Sequence, residues 1–172
     1  MNKEKYNIIG NINYLSDEYI LNNYNEIFNN IILTTLSLID ETDIINNSYL
    51  DLNLVSDHII KDINNKYAGN NEITDVLAFP YFNDNSLSTN IDYQNEFLIH
   101  SDLNNYIGEI FISYPTALKQ SIINKHSVLI EVLILTIHGL LHIFGYDHYE
   151  KEEKNIMQSK EKIIFDRVIN NA

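Results

Sequence analysis

The stretch VLIEVLILTIHGLLHIFGYDH, residues 128–148, decides the fold of this 172-residue chain. Its apolar residues run almost without interruption from 128 to 144, which predicts an α-helix buried inside a domain. Glu131, His138 and His142 lie inside the run. Such polar groups would be costly near the centre of a membrane span. The stretch therefore predicts a core helix rather than a transmembrane helix.

Three histidines stand at the end of this helix. His138 and His142 are four residues apart, so they project from one helical face about one turn apart. Gly145 suits the left-handed conformation that ends a helix, after which the chain can turn back and bring His148 to the same point. Three neutral imidazoles with one open position are typical of catalytic zinc sites, where water takes the fourth place.

The spacing therefore predicts a site for one divalent metal on His138, His142 and His148. We interpret the ion as Zn²⁺, although other first-row ions accept the same donors. The implied reaction class is hydrolysis, because such an ion activates water and polarises an oxygen of the substrate. His138 and His142 are the predicted catalytic residues, since they would hold that ion.

No general base stands beside the first histidine. Zinc endopeptidases with a similar elongated motif carry Glu directly after that histidine, whereas this chain has Gly139. Peptide hydrolysis is therefore disfavoured. Asp147, Glu109 and Asp75 are the candidates for a base elsewhere, with unaided metal hydroxide as the alternative. We interpret Asp147 rather as an acceptor that orients an imidazole.

The composition excludes some kinds of metal site and disfavours some classes of protein. The chain has no cysteine, which excludes disulfides and thiolate-bound metals. Its net charge of −13 argues against a generic nucleic-acid binder, because phosphate binding depends on Lys and Arg. The first ten residues lack the apolar core of a signal peptide, which predicts a cytoplasmic protein. The remaining histidines stand alone and are predicted to be structural or exposed: His58, His100 and His126.

The first half of the chain alternates helical and strand patterns. Apolar spacing predicts a first helix from Ser16 through Ile32 and a second helix between Ser56 and Gly69. Alternation predicts a half-buried strand over 48–55, after a loop over 42–47. The poorly alternating run 74–82 predicts a central strand covered on both faces.

The second half continues the alternation on both sides of the apolar helix. A polar loop over 83–105 is long enough to be functional or mobile. A strand over 106–114, a third helix over 115–126 and a last helix from about residue 150 follow. The inner stripe of the last helix is predicted at Ile156, Met157, Ile163, Ile164 and Val168. These patterns predict one α+β domain over 1–172, with a small mixed sheet of about four strands, about five packed helices and the metal site at the end of a buried helix.

Several motifs resemble those of the YbeY family of bacterial endoribonucleases. The segment 138–148 is similar to the histidine signature of that family. The other blocks that carry the resemblance are Thr74-Asp-Val-Leu-Ala-Phe-Pro, close to Thr-Asp-Val-Leu-Ser-Phe-Pro, then Gly108-Glu-Ile, Gln120-Ser121, and Met157 with Glu161 in the trailing helix. The resemblance runs from about residue 50 to 164. The amino-terminal helix region, residues 1–45, carries no recognisable family signal.

The resemblance implies a single-strand-specific, metal-dependent endoribonuclease that acts in 16S rRNA 3′-end maturation and ribosome quality control. It also implies a zinc-type site on the three histidines. The implied partners are ribosomal RNA and the small ribosomal subunit, with ribosomal proteins or GTPase assembly proteins as further candidates and no membrane. Two alternatives stay open. One is a non-enzymatic ribosome-assembly factor with a structural metal, and the other is a metal hydrolase of another substrate, such as a peptide or small ester.

One position departs from the resemblance in a way that bears on activity. The family pattern Asn-x-x-Tyr-Arg supplies an arginine associated with the active site, and this chain has Ala68 there. A lysine such as Lys66 or Lys61 is a poor substitute for a guanidinium that binds phosphate through two hydrogen bonds. Ala78 for Ser and Glu109 for Asp are milder changes. We therefore expect naked RNA to bind weakly, with the ribosomal subunit or a partner protein supplying affinity.

Overall fold

The computed structural model of the chain describes residues 8–14, 16, 21, 23–39, 48–81 and 106–170. Its elements are β1 (Ile8–Tyr14), α1 (Tyr24–Leu36), β2 (Ser48–Val55), α2 (Asp57–Ala68), β3 (Val76–Pro80), β4 (Tyr106–Ser113), α3 (Tyr114–Asn124), α4 (Val128–Ile143) and α5 (Lys151–Asn170). This set of strands and helices confirms the predicted α+β class. The loops predicted over 42–47 and 83–105, and the residues Tyr19, Ile20 and His100, lie outside the described residues.

The described strands form one mixed sheet in the order β1-β2-β4-β3. β1 and β4 both run parallel to β2, and β3 is antiparallel to β4. β4 is central and buried along its whole length. Among the described strands, β3 lies at the edge of the sheet, and it is only half-buried, so the prediction of a central strand there is wrong. Its sequence lacks alternation because Val76 and Ala78 pack on one hydrophobic cluster while Leu77 and Phe79 pack on another.

β1 is the strand that the sequence patterns missed. Glycine and asparagine disfavour strands, and β1 contains Gly10 and two asparagines. The strand forms because its neighbours favour it. A Cβ on Gly10 would lie 2.6 Å from Cδ1 of Phe28, so glycine lets α1 pack closely on the strand. Asn11 and Asn13 donate their amide hydrogens to side chains of β2. The region predicted as helical over 1–45 therefore holds a strand as well.

α1 begins at Tyr24, so the predicted start at Ser16 is wrong. Ser16 and Leu21 lie outside any helix. Asn23 has φ of 60°, a left-handed conformation through which a right-handed helix does not continue. From Tyr24 onward the predicted apolar spacing is confirmed, because Phe28 and the later inward positions are buried.

The main core lies between one face of the sheet and the helices α1, α4 and α5. Leu50, Leu52 and Leu54 of β2 point into it, as their alternation predicted. The other face of β2 is also buried, since Asp51 is 4% exposed and Asn53 9% exposed. The prediction that β2 is half-buried is therefore wrong. A second cluster of apolar side chains joins α2 to this opposite face.

The helices near the predicted site largely follow their patterns. α4 is a buried core helix, as predicted. α2 begins with Ser56 accepting a hydrogen bond from the Ile59 N–H and ends at Gly69, whose φ is 68°. In α5, Met157, Ile164 and Val168 are buried. The predicted inner positions Ile156 and Ile163 are instead 53% and 40% exposed, because the main contacts of α5 among the described elements are with α1 and α4, along a narrow stripe.

Within the described part of the chain, no single helix is both long and apolar enough to cross a membrane. α3 and α4 meet the length and composition requirement only as a pair, and they are bent by 113° at their junction.

Candidate metal centre

The two ends of α4 are fixed by local hydrogen bonds. At its start, the Ser127 side chain accepts a hydrogen bond from the Ile130 N–H. At its end, the Gly145 N–H donates to the His142 carbonyl and the Tyr146 N–H donates to the Leu141 carbonyl. This pattern is a Schellman motif, and Gly145 takes the left-handed conformation it needs, with φ of 79°. The predicted turn after the helix is confirmed.

This turn brings the three histidines together. The Nε2 atoms of His138 and His142 lie 3.1 Å apart. The ring of His148 stacks on that of His138 with centroids 5.6 Å apart. One ring nitrogen from each of the three residues lies within 4.8 Å of the others. These histidines therefore form a cluster that could bind a metal ion.

The donor set fits a first-row divalent ion. Imidazole nitrogens bind such ions at about 2.0–2.1 Å, and the 3.1 Å between the Nε2 atoms of His138 and His142 allows both to reach one ion. Burial, followed by the neighbouring imidazoles of His138 and His148, lowers the pKa of His142. The lower pKa favours the neutral imidazole, which is the form that binds metal.

A carboxylate outside the histidine segment contacts the cluster. Oε1 of Glu161, on α5, lies 2.7 Å from Nδ1 of His138. Glu161 also lines an open groove of about 370 Å³ between α4 and α5, together with Ile134, Ile137 and Phe165. The sequence patterns gave Glu161 no role at the site. Its only signal was its place in the family-like trailing helix.

The three predicted candidates for a base occupy different places. Asp147 lies near His142, and its charge partly offsets the lowering of the His142 pKa. Its Oδ1 accepts a hydrogen bond from the His148 N–H. Asp75 accepts from the Gln120 amide and from the Val76 N–H, at the start of β3. The imidazole-orienting role of Asp147 stays a prediction. Among the described residues, the carboxylate that contacts an imidazole of the cluster is that of Glu161.

Glu109 is not brought to the histidines. Its neighbour Ile110 contacts Gly139 of α4, so Glu109 points to the opposite face of the sheet. There it is the register partner of Asp51. Burial, and then the charge of Asp51, raise the pKa of Glu109 to about 7.

The contact between α4 and Ile110 also explains why residue 139 is glycine, because a Cβ on Gly139 would lie 2.9 Å from Cγ2 of Ile110. A glutamate base at that position would not fit.

Three further residues of interest are not members of the histidine cluster. Ala68 is exposed at the last position of α2, on the face of the sheet opposite α4. His58 is exposed on α2 and pairs with Asp62. His126 pairs with the buried carboxylate of Glu131 at 3.0 Å. Among the described residues, the cluster that could bind a metal ion consists of His138, His142 and His148 and includes none of these three.

The family model described as Endoribonuclease YbeY matches residues 11–169. The chain belongs to the YbeY endoribonuclease family. The Endoribonuclease YbeY of Dehalococcoides mccartyi is 40% identical over 117 residues, which cover 68% of this chain and 67% of that relative. The Endoribonuclease YbeY of a Thermoanaerobacter species is 34% identical over 146 residues, covering 85% of this chain and 88% of that relative. The resemblance drawn from the motifs is thereby confirmed.

A solved structure supports the fold of this YbeY-family chain. The solution structure of TM1509 from Thermotoga maritima matches with a TM-score of 0.52 and 23% identity, covering 93% of this chain and 90% of that chain. The family match starts at residue 11, so it includes most of the amino-terminal segment, where the motifs showed no family signal. α1 and the second part of β1 lie inside the matched range.

Proposed function

We propose that this YbeY-family chain is a metal-dependent endoribonuclease that cleaves single-stranded RNA during 16S rRNA 3′-end maturation and ribosome quality control. The observation that carries the proposal is the convergence of His138, His142 and His148. The relatives are named as endoribonucleases, and this name supplies the substrate class, RNA. The rRNA and the quality-control role rest on the resemblance of the motifs.

The three histidines would hold one divalent ion, which we propose to be zinc. Such an ion supplies Lewis acidity that polarises an oxygen of the scissile phosphodiester and acidifies water. The chain's own residues prepare this chemistry. The Schellman turn fixes the approach of His148, and burial favours the neutral form of His142. We propose that Asp147 orients an imidazole, with proton transfer as the alternative, since it lies close enough for its charge to act on His142.

Recognition of RNA is proposed to depend on the ribosome. A chain with a net charge of −13 repels a polyanion at long range. The exposed end of α2 offers Ala68 where the family resemblance places an arginine, so a bidentate phosphate contact is lost there. We propose that the small ribosomal subunit, with ribosomal or GTPase assembly proteins, supplies the missing affinity in the cytoplasm.

The test is a cleavage assay on RNA containing the 3′ end of 16S rRNA, free and within the small subunit, with and without a chelator. His142→Ala should abolish metal content and reduce cleavage by about 100-fold or more, because the activated water would be lost, while His58→Ala, which changes an exposed histidine on α2, should match the wild type. Ala68→Arg should increase cleavage of the free RNA. Cleavage by His142→Ala at the wild-type rate, or cleavage unaffected by chelator, would refute the proposal.

The missing arginine favours one alternative, a ribosome-assembly factor that uses the metal for structure. That alternative predicts a different outcome from the same variants. His142→Ala would lose its metal, yet subunit binding and rRNA processing in cells would persist.

A further inference from the structure

Glu161 contacts the metal centre from an element outside the histidine segment. Its Oε1 lies 2.7 Å from Nδ1 of His138, a distance typical of a charge-assisted hydrogen bond. Among the described residues, it is the carboxylate that bonds directly to an imidazole of the cluster. We propose that Glu161 is a positioning residue that fixes the ring and the tautomer of His138 for metal binding. This inference rests on the proposed metal site.

The position of the carboxylate is set by the core. Met157 and Ile164 precede and follow Glu161 by four and three residues, so all three share one stripe of α5. Met157 is 1% exposed and Ile164 is fully buried. These anchors hold the backbone of α5 on both sides of Glu161. The side chain itself is 30% exposed, so it reaches His138 at the edge of the core rather than inside it.

A second contact ties the same part of α5 to the site. Nζ of Lys160 donates to the Leu38 carbonyl after α1, and it lies 5.0 Å from the centre of the Tyr146 ring. Tyr146 belongs to the Schellman turn that leads to His148. α5 therefore touches both the first histidine of the cluster and the turn before the last one.

The hydrogen bond determines which nitrogen of His138 can bind a metal. An ionised carboxylate only accepts hydrogen bonds, so Nδ1 of His138 must carry the hydrogen. The lone pair of the neutral ring is then on Nε2, and Nε2 is the atom that lies 3.1 Å from Nε2 of His142. A carboxylate in this position also makes the imidazole a stronger ligand. His142 has a counterpart in a hydrogen bond with the Tyr146 backbone.

The experiment compares Glu161→Ala and Glu161→Gln with Glu152→Gln, which removes an exposed charge from the first turn of the same helix. The dissociation constant for Zn²⁺ is measured by competition with a chelator. Glu161→Ala should bind Zn²⁺ about 10- to 100-fold more weakly. Glu161→Gln retains an acceptor oxygen and should fall between Glu161→Ala and the wild type. Glu152→Gln should bind like the wild type.

A measurement without metal distinguishes this role from one in which Glu161 only helps to hold α5 in place. The ¹⁵N chemical shifts of His138 should report the Nδ1–H tautomer in the wild type and a mixture of tautomers in Glu161→Ala. Unchanged Zn²⁺ affinity in Glu161→Ala, or the same tautomer in both proteins, would overturn the inference. If the wild type itself bound no Zn²⁺, the proposed metal-dependent function would fail, while the tautomer comparison would still decide the role of Glu161.

Discussion

Replacing Glu109 by Gln is expected to stabilise the protein at alkaline pH and to leave its stability in acid unchanged. Glu109 lies on the central strand, is 8% exposed and stands opposite Asp51 on the neighbouring strand. Burial disfavours its ionised form, and the charge of Asp51 disfavours it further, so its pKa rises from 4.5 to about 7. The folded chain thus holds a proton that the unfolded chain has released.

The sign and the size of the effect follow from proton binding. Between pH 4.5 and about pH 7 the folded state binds one proton more at Glu109, so the free energy of unfolding falls as the pH rises through this window. Each tenfold change in proton affinity is worth about 1.4 kcal/mol. The displacement from 4.5 to about 7 therefore amounts to about 3 kcal/mol of lost stability once Glu109 is ionised. Glutamine has nearly the same shape and cannot ionise, so it avoids this loss.

Urea unfolding at about pH 5 and about pH 8.5 measures the difference. Glu109→Gln should gain up to about 3 kcal/mol over the wild type at the higher pH and only about 1 kcal/mol at the lower. Glu26→Gln removes a charge from an exposed position on α1 and serves as the matched control. A gain for Glu109→Gln that is equal at both pH values, or no larger than that of Glu26→Gln, would refute the reasoning.

Three further substitutions test the steric fit of a glycine and a buried hydrogen bond. Gly108→Ala should destabilise the fold by more than about 2 kcal/mol in urea unfolding, because φ is 150° and a Cβ would lie 2.5 Å from the Phe79 carbonyl oxygen. Gly69→Ala, with φ of 68° and open space around it, should cost only about 1–2 kcal/mol, and an equal loss for both would contradict the steric argument. Tyr24→Phe should cost about 1 kcal/mol, since it removes the buried 2.9 Å hydrogen bond with Thr136, and an unchanged unfolding midpoint would argue against that bond.

The parts of the fold that could be predicted are those that local sequence determines. The burial of α4 follows from its composition, and the convergence of the three histidines follows from helical spacing and the glycine at 145. Both depend on residues within about a turn or two of one another. For the same reason the cap of α2 at Ser56 and its end at Gly69 were predictable.

The parts that could not be predicted depend on contacts between distant segments. β1 becomes a strand only because β2 lies beside it and Gly10 fits against Phe28, and neither condition is visible in its own residues. The edge position of β3 is a property of the strand order. Glu161 reaches His138 across 23 residues and a change of helix, so spacing within the motif could not identify it.

The Schellman turn after α4 makes the site depend on the number of residues as well as on their identity. His142 takes its position from the last turn of the helix, while His148 takes its position from the turn that Gly145 and Tyr146 close. An insertion or deletion of one residue between them would keep all three imidazoles in the chain and still send His148 elsewhere. The interval from 138 to 148 is thus a fixed length, and changes in chain length can be absorbed only outside it.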